Sequence, residues 1–255
     1  MNVLVCVKRV PATGGRILLT EDQREIDTRY LGFTVSPHEE CAAEEAVRLV
    51  TEHGGSSVVL TLGPPEAEEQ LRDAMAIGID RGILLESGGR EWDPVATAAA
   101  IVDAIRADEA ASGRFDLLLF GNEAADSGDY QVGARVAHVL GLPCVTGIKG
   151  LEVRDGRATV RREAPGGGWE VFELPLPALV AVKEGINLPR FPSVPGRLKA
   201  RKKEVARVRP EWRDGGLRLQ RLALPREQEG SVEILGEGPA AAPAVVAVLQ
   251  RLGLV

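Results

Sequence analysis

The chain has 255 residues, 44% of them hydrophobic and 27% charged, with a formal net charge of −6; this is the profile of an ordinary globular protein with room for a sizeable core. It contains no uninterrupted apolar run of the roughly 18 residues that a membrane span needs, and an acidic body is a poor general surface for nucleic acid. The N-terminus runs straight into MNVLVCVKRV without a charged leader and small-residue cleavage site, so no secretory signal is expected and a cytoplasmic location is.

Apolar runs alternate with amphipathic stretches over the first 150 residues. Asn2–Lys8 reads as a first strand. Ser36-Pro37 opens a helix to about Val50, with Ser36 as N-cap and Glu39, three residues on, as its capping-box partner. Ser57–Leu62 is a second strand, followed by a helix ending near Gly78. Gly82–Glu86 is a third strand, with a helix from Asp93 to about Ala107. Phe115–Phe120 is a fourth, and a helix from about Tyr130 to Leu140 leads to a fifth strand near Cys144–Ile148. Strands that are apolar on both faces and separated by helices imply a parallel sheet covered on both sides.

From Leu151 the pattern changes. Leu151–Arg154 and Ala158–Glu163 read as an antiparallel hairpin turning at Asp155-Gly156, Gly166–Leu174 adds a strand, and Leu179–Lys183 returns to the main sheet. Residues 204–239 are charged and weakly periodic, so little regular structure is expected there before a short helix over Ala240–Leu252. The expected fold is α/β: a doubly wound, mostly parallel, Rossmann-like sheet with an antiparallel hairpin addition and an extended C-terminal arm. Residues 1–203 would form the nucleotide-binding domain and 204–255 the arm.

In an open parallel sheet ligands bind beyond the carboxyl ends of the strands, which singles out GNEAADSGDYQVG, Gly121–Gly133. Its small residues allow close backbone approach, and the helix after it offers free N–H groups and a positive dipole end to an anion. It lacks the Gly-Lys-Ser/Thr of a Walker loop, and no GxGxxG follows the first strand. A plain capped βα loop has the same composition, so the loop alone leaves both readings open. Cys6, Cys41 and Cys144 are scattered, and His38, His53 and His138 are dispersed; neither set has metal-ligand or redox-pair spacing. No nucleophile–base pair or carboxylate dyad stands out, so no catalytic residue is assigned.

The other conspicuous stretch is NLPRFPSVPGRLKARKK, Asn187–Lys203. It holds six of the 31 basic residues and none of the 37 acidic ones, which leaves the remainder at net −12. Three prolines suggest a stiff, irregular segment. A solvated basic face and a local nucleic-acid contact are the bland alternatives.

Five segments in order resemble the β (small) subunit of electron transfer flavoproteins, from Val3 to about Lys203: VLVCVKRVP, SPHEECAAEEAVRL, GPPEAEEQLRDAMAIGIDRGILLE, DLLLFGNEAADSGDYQVG and LPALVAVKEGINLPRFPSVPGRLKARKK. The resemblance implies an electron carrier rather than an enzyme with its own turnover, one half of a heterodimer with an α subunit. FAD would lie mainly on the α subunit, and a structural AMP would be buried in the β chain. The implied AMP contacts are Cys6, then Ser36, Pro37, His38 and Glu39, then Leu62, and the loop residues Gly121, Asn122, Ala124, Asp126, Ser127, Gly128, Asp129, Tyr130, Gln131 and Val132. His38 stands where some members place an aromatic against the flavin, which makes it the FAD-adjacent residue by stacking or hydrogen bonding.

The basic stretch resembles the family's recognition loop, which docks on flavin dehydrogenases. Val194, beside Pro195, matches the apolar anchor, and Arg197, Lys199, Arg201, Lys202 and Lys203 would steer the encounter with an acidic partner surface. The tail after Val205 would wrap on the α subunit. Three departures stand out: Ser36 replaces the usual Asn, Asn122-Glu123 replaces a basic or amide pair, and DSGDYQ from Asp126 replaces the Asp-Gly-Asp-Thr-Ala-Gln of bifurcating relatives. In those relatives a second FAD takes the place of AMP, and Tyr130 argues for the smaller ligand. A stand-alone nucleotide-binding α/β module is the other alternative; it would need neither Leu176–Lys203 nor a long charged tail.

Overall fold

The computed structural model describes residues 1–255 except 13, 15, 16, 91 and 226–231. In chain order the elements are β1 (Asn2–Cys6), β2 (Val10–Pro11), β3 (Phe33–Thr34), α1 (Pro37–His53), β4 (Ser56–Gly63), α2 (Glu68–Ile77), β5 (Arg81–Glu86) and α3 (Pro94–Ser112). There follow β6 (Leu117–Gly121), α4 (Val132–Leu140), β7 (Cys144–Arg154), β8 (Arg157–Glu163), β9 (Trp169–Pro175), β10 (Ala178–Val182), α5 (Val194–Ala200), β11 (Val205–Val208) and α6 (Ala242–Arg251). Met1–Arg221 form one compact unit; Leu222–Val255 form a second, which contains α6. No helix among the described residues is long and apolar enough to cross a membrane.

The main sheet has nine strands in the order β11-β5-β4-β1-β6-β10-β7-β8-β9. Its β11-to-β7 part is parallel throughout. Alternate residues of the central strands enter two separate cores. Val3, Val5, Leu117, Leu119 and Val180 pack with α1 and α2. Leu4, Cys6, Leu118, Phe120 and Leu179 pack with α3 and α4. Burial on both sides is why these strands read as unbroken apolar runs. The chain thus forms the expected doubly wound α/β sheet.

Helix α1 starts as its sequence dictates. The Ser36 hydroxyl accepts from the Glu39 N–H at 3.3 Å while the Glu39 carboxylate accepts from the Ser36 N–H at 2.9 Å, a complete capping box. The hairpin turn Asp155-Gly156 has positive φ at both residues (50° and 71°), the type I′ geometry that matches strand twist. The expected fifth strand and first hairpin arm are one continuous β7. It pairs in parallel with β10 and then antiparallel with β8 across a register shift between Ile148 and Gly150.

Two expectations are corrected. Val205–Val208 is a strand, parallel to β5 at the sheet edge, within the stretch expected to lack regular structure. The consecutive residues Val205 and Ala206 pack against opposite cores, in a four-residue strand too short to stand out among the arginines. The stretch expected to be irregular contains α5, where Ser193 caps the helix through the Gly196 N–H and Pro195 occupies the first turn.

Candidate functional site

Strand β1 is flanked by β4 on one side and β6 on the other, so the winding direction reverses between β1 and β6. At such a switch point the loops diverge and leave a crevice beyond the strand ends. A cavity of about 300 Å³ lies there, at the small end of the ~300–1,000 Å³ typical of small-molecule pockets. Its floor is apolar: Cys6, Leu60, Phe120, Ala181 and Ile101. Burial, and secondarily Glu39, push the Cys6 thiol well above its usual range, so it lines the floor as a neutral group.

The rim is built by the loop between β6 and α4. Helix α4 begins without a side-chain cap, and Gln131, Val132, Gly133 and Ala134 at that end line the cavity. Its first N–H groups therefore face a space that suits an anion. Lys8, Arg9 and Arg90 also line it, beside Glu39, Glu123 and Asp129. Arg9 stacks its guanidinium 3.3 Å from the Phe33 ring centroid, and its buried Nε has no hydrogen-bond partner. An apolar floor, an uncapped helix end and the basic side chains of Lys8, Arg9 and Arg90 suit a ligand with a flat apolar part and an anionic group.

Of the residues singled out in the sequence, Cys6, Glu39, Leu62, Gly121, Asn122, Ala124, Ser127, Asp129, Tyr130, Gln131 and Val132 line the cavity. Ser36, Pro37, His38, Asp126 and Gly128 are not among its lining residues; the polar ones hold the rim from behind. Ser36 donates its hydroxyl to the Glu123 carbonyl at 3.2 Å. Asp126 accepts from the Lys8 ammonium at 2.8 Å. His38 Nδ1 accepts from the Glu184 N–H at 2.8 Å, so its proton sits on Nε2, 3.2 Å from a Glu123 oxygen. Both ring nitrogens are thus engaged within the chain, and only the ring face is left for a neighbouring group. Glu123 also bonds the Tyr130 hydroxyl and raises its pKa.

Glu39 sits under the rim with its carboxylate taken by two backbone donors, the N–H of Lys8 at 2.8 Å and of Ser36 at 2.9 Å. Burial outweighs both and pushes its pKa up to about 8. Sequence reasoning missed Lys8, Arg9, Arg90, Trp92, Thr97 and Thr146. Lys8 and Arg9 follow β1 directly and were readable from their place at its carboxyl end. Arg90 and Trp92 come from the loop after β5, where only Gly88-Gly89 marked a turn. Among the described residues no cluster of His, Cys, Asp or Glu could hold a metal ion.

The 187–203 segment is rooted by polar groups and displays apolar ones. The Asn187 side chain donates to the Cys41 carbonyl and to Glu45. Arg190 clamps the buried Glu44, at 2.6 Å in its shortest contact. Lys203 donates to the Met75 and Ile79 carbonyls at the end of α2 (3.0 and 2.6 Å), which removes it from the residues available for steering. Arg197 pairs with Asp73 at 2.8 Å, whereas Pro195, Lys199, Arg201 and Lys202 are exposed. Val194 is 73% exposed as expected, but Leu188 (91%) and Phe191 (97%) stand out further.

A doubly wound α/β protein with a ligand-sized cavity at its switch point and a rooted basic arm is what the fold and site define. Residues 25–211 match the electron transfer flavoprotein domain. The chain is 32% identical over 259 residues to the electron transfer flavoprotein subunit beta of Bacillus subtilis, covering 98% of each chain. It is 35% identical over 239 residues to that of Syntrophomonas wolfei, covering 93% of this chain and 91% of the relative. It is 33% identical over 205 residues to the caffeyl-CoA reductase-Etf complex subunit CarD of Acetobacterium woodii, covering 78% and 75%. The chain belongs to the electron transfer flavoprotein family.

Proposed function

We infer that this chain is the β subunit of a heterodimeric electron transfer flavoprotein, and that its cavity holds AMP as a structural nucleotide. The observation that carries this reading is the cavity between β1 and β6 under the uncapped N-terminus of α4. The AMP phosphate would take the α4 N–H groups, with Ser127 and the basic Lys8–Arg9 pair nearby, and the adenine would lie on the Cys6–Leu62 side of the floor. About 300 Å³ favours a mononucleotide over a dinucleotide, and Tyr130 stands at the rim with φ 56° and its ring more than half exposed.

FAD, held mainly on the α subunit, supplies the one- and two-electron chemistry. The β chain contributes a wall to its site, with the His38 ring face the closest candidate, and the Val194–Lys202 surface docks on flavin dehydrogenases. Electrons pass from those dehydrogenases through the heterodimer to a downstream acceptor. The Leu222–Val255 unit exposes Val232, Ile234, Leu252 and Leu254, apolar groups that suit packing on the α subunit. Three free thiols suit a reducing, cytoplasmic setting.

The test is nucleotide content. The chain is co-purified with its α partner, denatured, and the released nucleotides are quantified by chromatography. One FAD and one AMP per heterodimer is the expected result. Two FAD and no AMP would overturn the AMP assignment in favour of a bifurcating flavoprotein. A stable monomer that binds a nucleotide without an α partner would point to a stand-alone module.

A further inference from the structure

The stretch following β11 does not leave the body at once. Arg207 and Arg209 both pair with Glu86 at the end of β5. Trp212 lies under the Arg90 guanidinium, 5.4 Å from it, and Arg213 pairs with Asp103 on α3 at 3.2 Å. The chain then turns sharply at Asp214-Gly215-Gly216, where Gly216 has φ +83° and Asp214 accepts from its N–H at 2.9 Å. Arg218 closes the turn on Asp214 at 2.6 Å and, with the Gly216 N–H, holds that carboxyl down at about 2.

Asp93 joins this strap to the cavity. One of its oxygens caps α3 through the Ala96 N–H at 2.7 Å; the other accepts from the Leu217 N–H at 3.0 Å. The Gly215 backbone is pressed on the same carboxylate, so that a Cβ at that position would collide with both oxygens. The residues on either side of Asp93 in the chain, Arg90, Trp92, Pro94 and Thr97, form one wall of the cavity. The Trp92 indole in turn donates to the Ser87 carbonyl at 3.0 Å.

We propose that Arg209–Arg218 is a clasp over this wall, with Asp93 and Gly215 as positioning residues that hold Arg90 and Trp92 against the cavity's occupant. The clasp is part of the nucleotide site, although none of its residues touches the cavity. A wall held in one place before binding loses less entropy when the ligand is fixed, so opening the clasp shortens the ligand's residence. This rests on the reading of the cavity as the nucleotide site.

The experiment uses the full chain with its α partner and AMP as the probe. Gly215→Ala forces the clasp off Asp93, and Trp212→Ala removes the ring under Arg90 as a second variant that introduces no clash. Hydrogen exchange over residues 86–101 and 209–218, AMP release and the global unfolding midpoint are measured for each. Both variants are expected to raise exchange in 86–101 and to speed AMP release about tenfold, with little change in the midpoint, since off-rates absorb most affinity changes. Faster exchange at 209–218 with 86–101 unchanged would overturn the proposal, as would a loosened wall with AMP release unchanged. A wild-type protein that holds no AMP would count against the nucleotide reading instead, and the exchange result would still decide whether the clasp positions the wall.

Discussion

Helix α1 borders both functional regions and meets each with a buried glutamate, but the two are held differently. At its N-terminal end Glu39 lies under the cavity rim with two neutral backbone donors and no cation in contact. About one and a half turns on, Glu44 is held by the Arg190 guanidinium of the 187–203 segment. Neutral donors only partly replace water for a carboxylate, so burial wins at Glu39 and its pKa rises to about 8. A guanidinium brings an opposite charge as well as matched hydrogen bonds, and Glu44 in turn raises the Arg190 pKa. The cavity region thus holds beneath its concave surface a carboxyl group whose ionisation burial opposes. The 187–203 segment uses a satisfied charge to display exposed apolar groups.

The largest effect should come from titrating the cavity side. Between about pH 4.5 and 8 the folded protein keeps a proton on Glu39 that the unfolded chain releases. Stability therefore falls as pH rises through that window, by up to about 1.4 kcal/mol per pH unit for a full proton, and levels off above it. Glu39→Gln cannot release the proton and should flatten the slope. Urea unfolding across the window checks this, and parallel slopes in the two proteins would remove the contrast with Glu44.

Breaking the satisfied side should cost less. Arg190→Ala leaves the Glu44 carboxylate buried without its cation, and half exposure of Arg190 moderates the loss. The expected destabilisation is about 2–3 kcal/mol, and Arg190→Lys, which keeps the charge but not the fork, should recover only part of it. A loss near zero would mean that water reaches Glu44. Next in size is Gly121→Ala. Its new Cβ would meet the Glu39 Cγ at 2.5 Å, and overpacking of this kind costs about 1–3 kcal/mol. Nucleotide retention should fall with stability in this variant, because the clash lies at the cavity; a stable variant with full retention would show that the rim yields freely.

Much of this was legible in the sequence because it rests on local rules. The capping box at Ser36 and Glu39, the type I′ turn at Asp155-Gly156 and the two-sided apolar strands follow from spacing within a few residues. The Gly121–Gly133 loop was placed by the general rule for open parallel sheets. What was not legible depends on distant partners. Strand β11 is stabilised by β5, more than a hundred residues earlier in the chain. Lys203 looks like a steering charge until α2 is folded beneath it. Arg90 lines the cavity and also meets Trp212, more than a hundred residues further along the chain. The pairing of His38 with Glu123 joins the first turn of α1 to the loop after β6, which local sequence cannot relate.

The 187–203 side offers the smallest effect on the fold and the clearest test of purpose. Phe191 is 97% exposed and Val194 73%, and both stand on a segment that Asn187, Arg190 and Lys203 tie down. Removing either ring or branch loses little packing within the chain, so Phe191→Ala and Val194→Ala should each change stability by less than about 0.5 kcal/mol. Docking on a flavin dehydrogenase should respond differently. A rigidly presented aromatic gives up more contact area on truncation than a valine and falls in the class of residues that anchor interfaces, at about 2 kcal/mol or more. Phe191→Ala should therefore weaken docking more than Val194→Ala does, read as the affinity of the heterodimer for its partner dehydrogenase at fixed ionic strength. The reverse order would place the contact on the α5 side of the segment and leave Phe191 as a solvent-facing residue outside the contact. Raising the salt should weaken both variants and wild type in parallel, as the proposed steering by Lys199 and Lys202 requires.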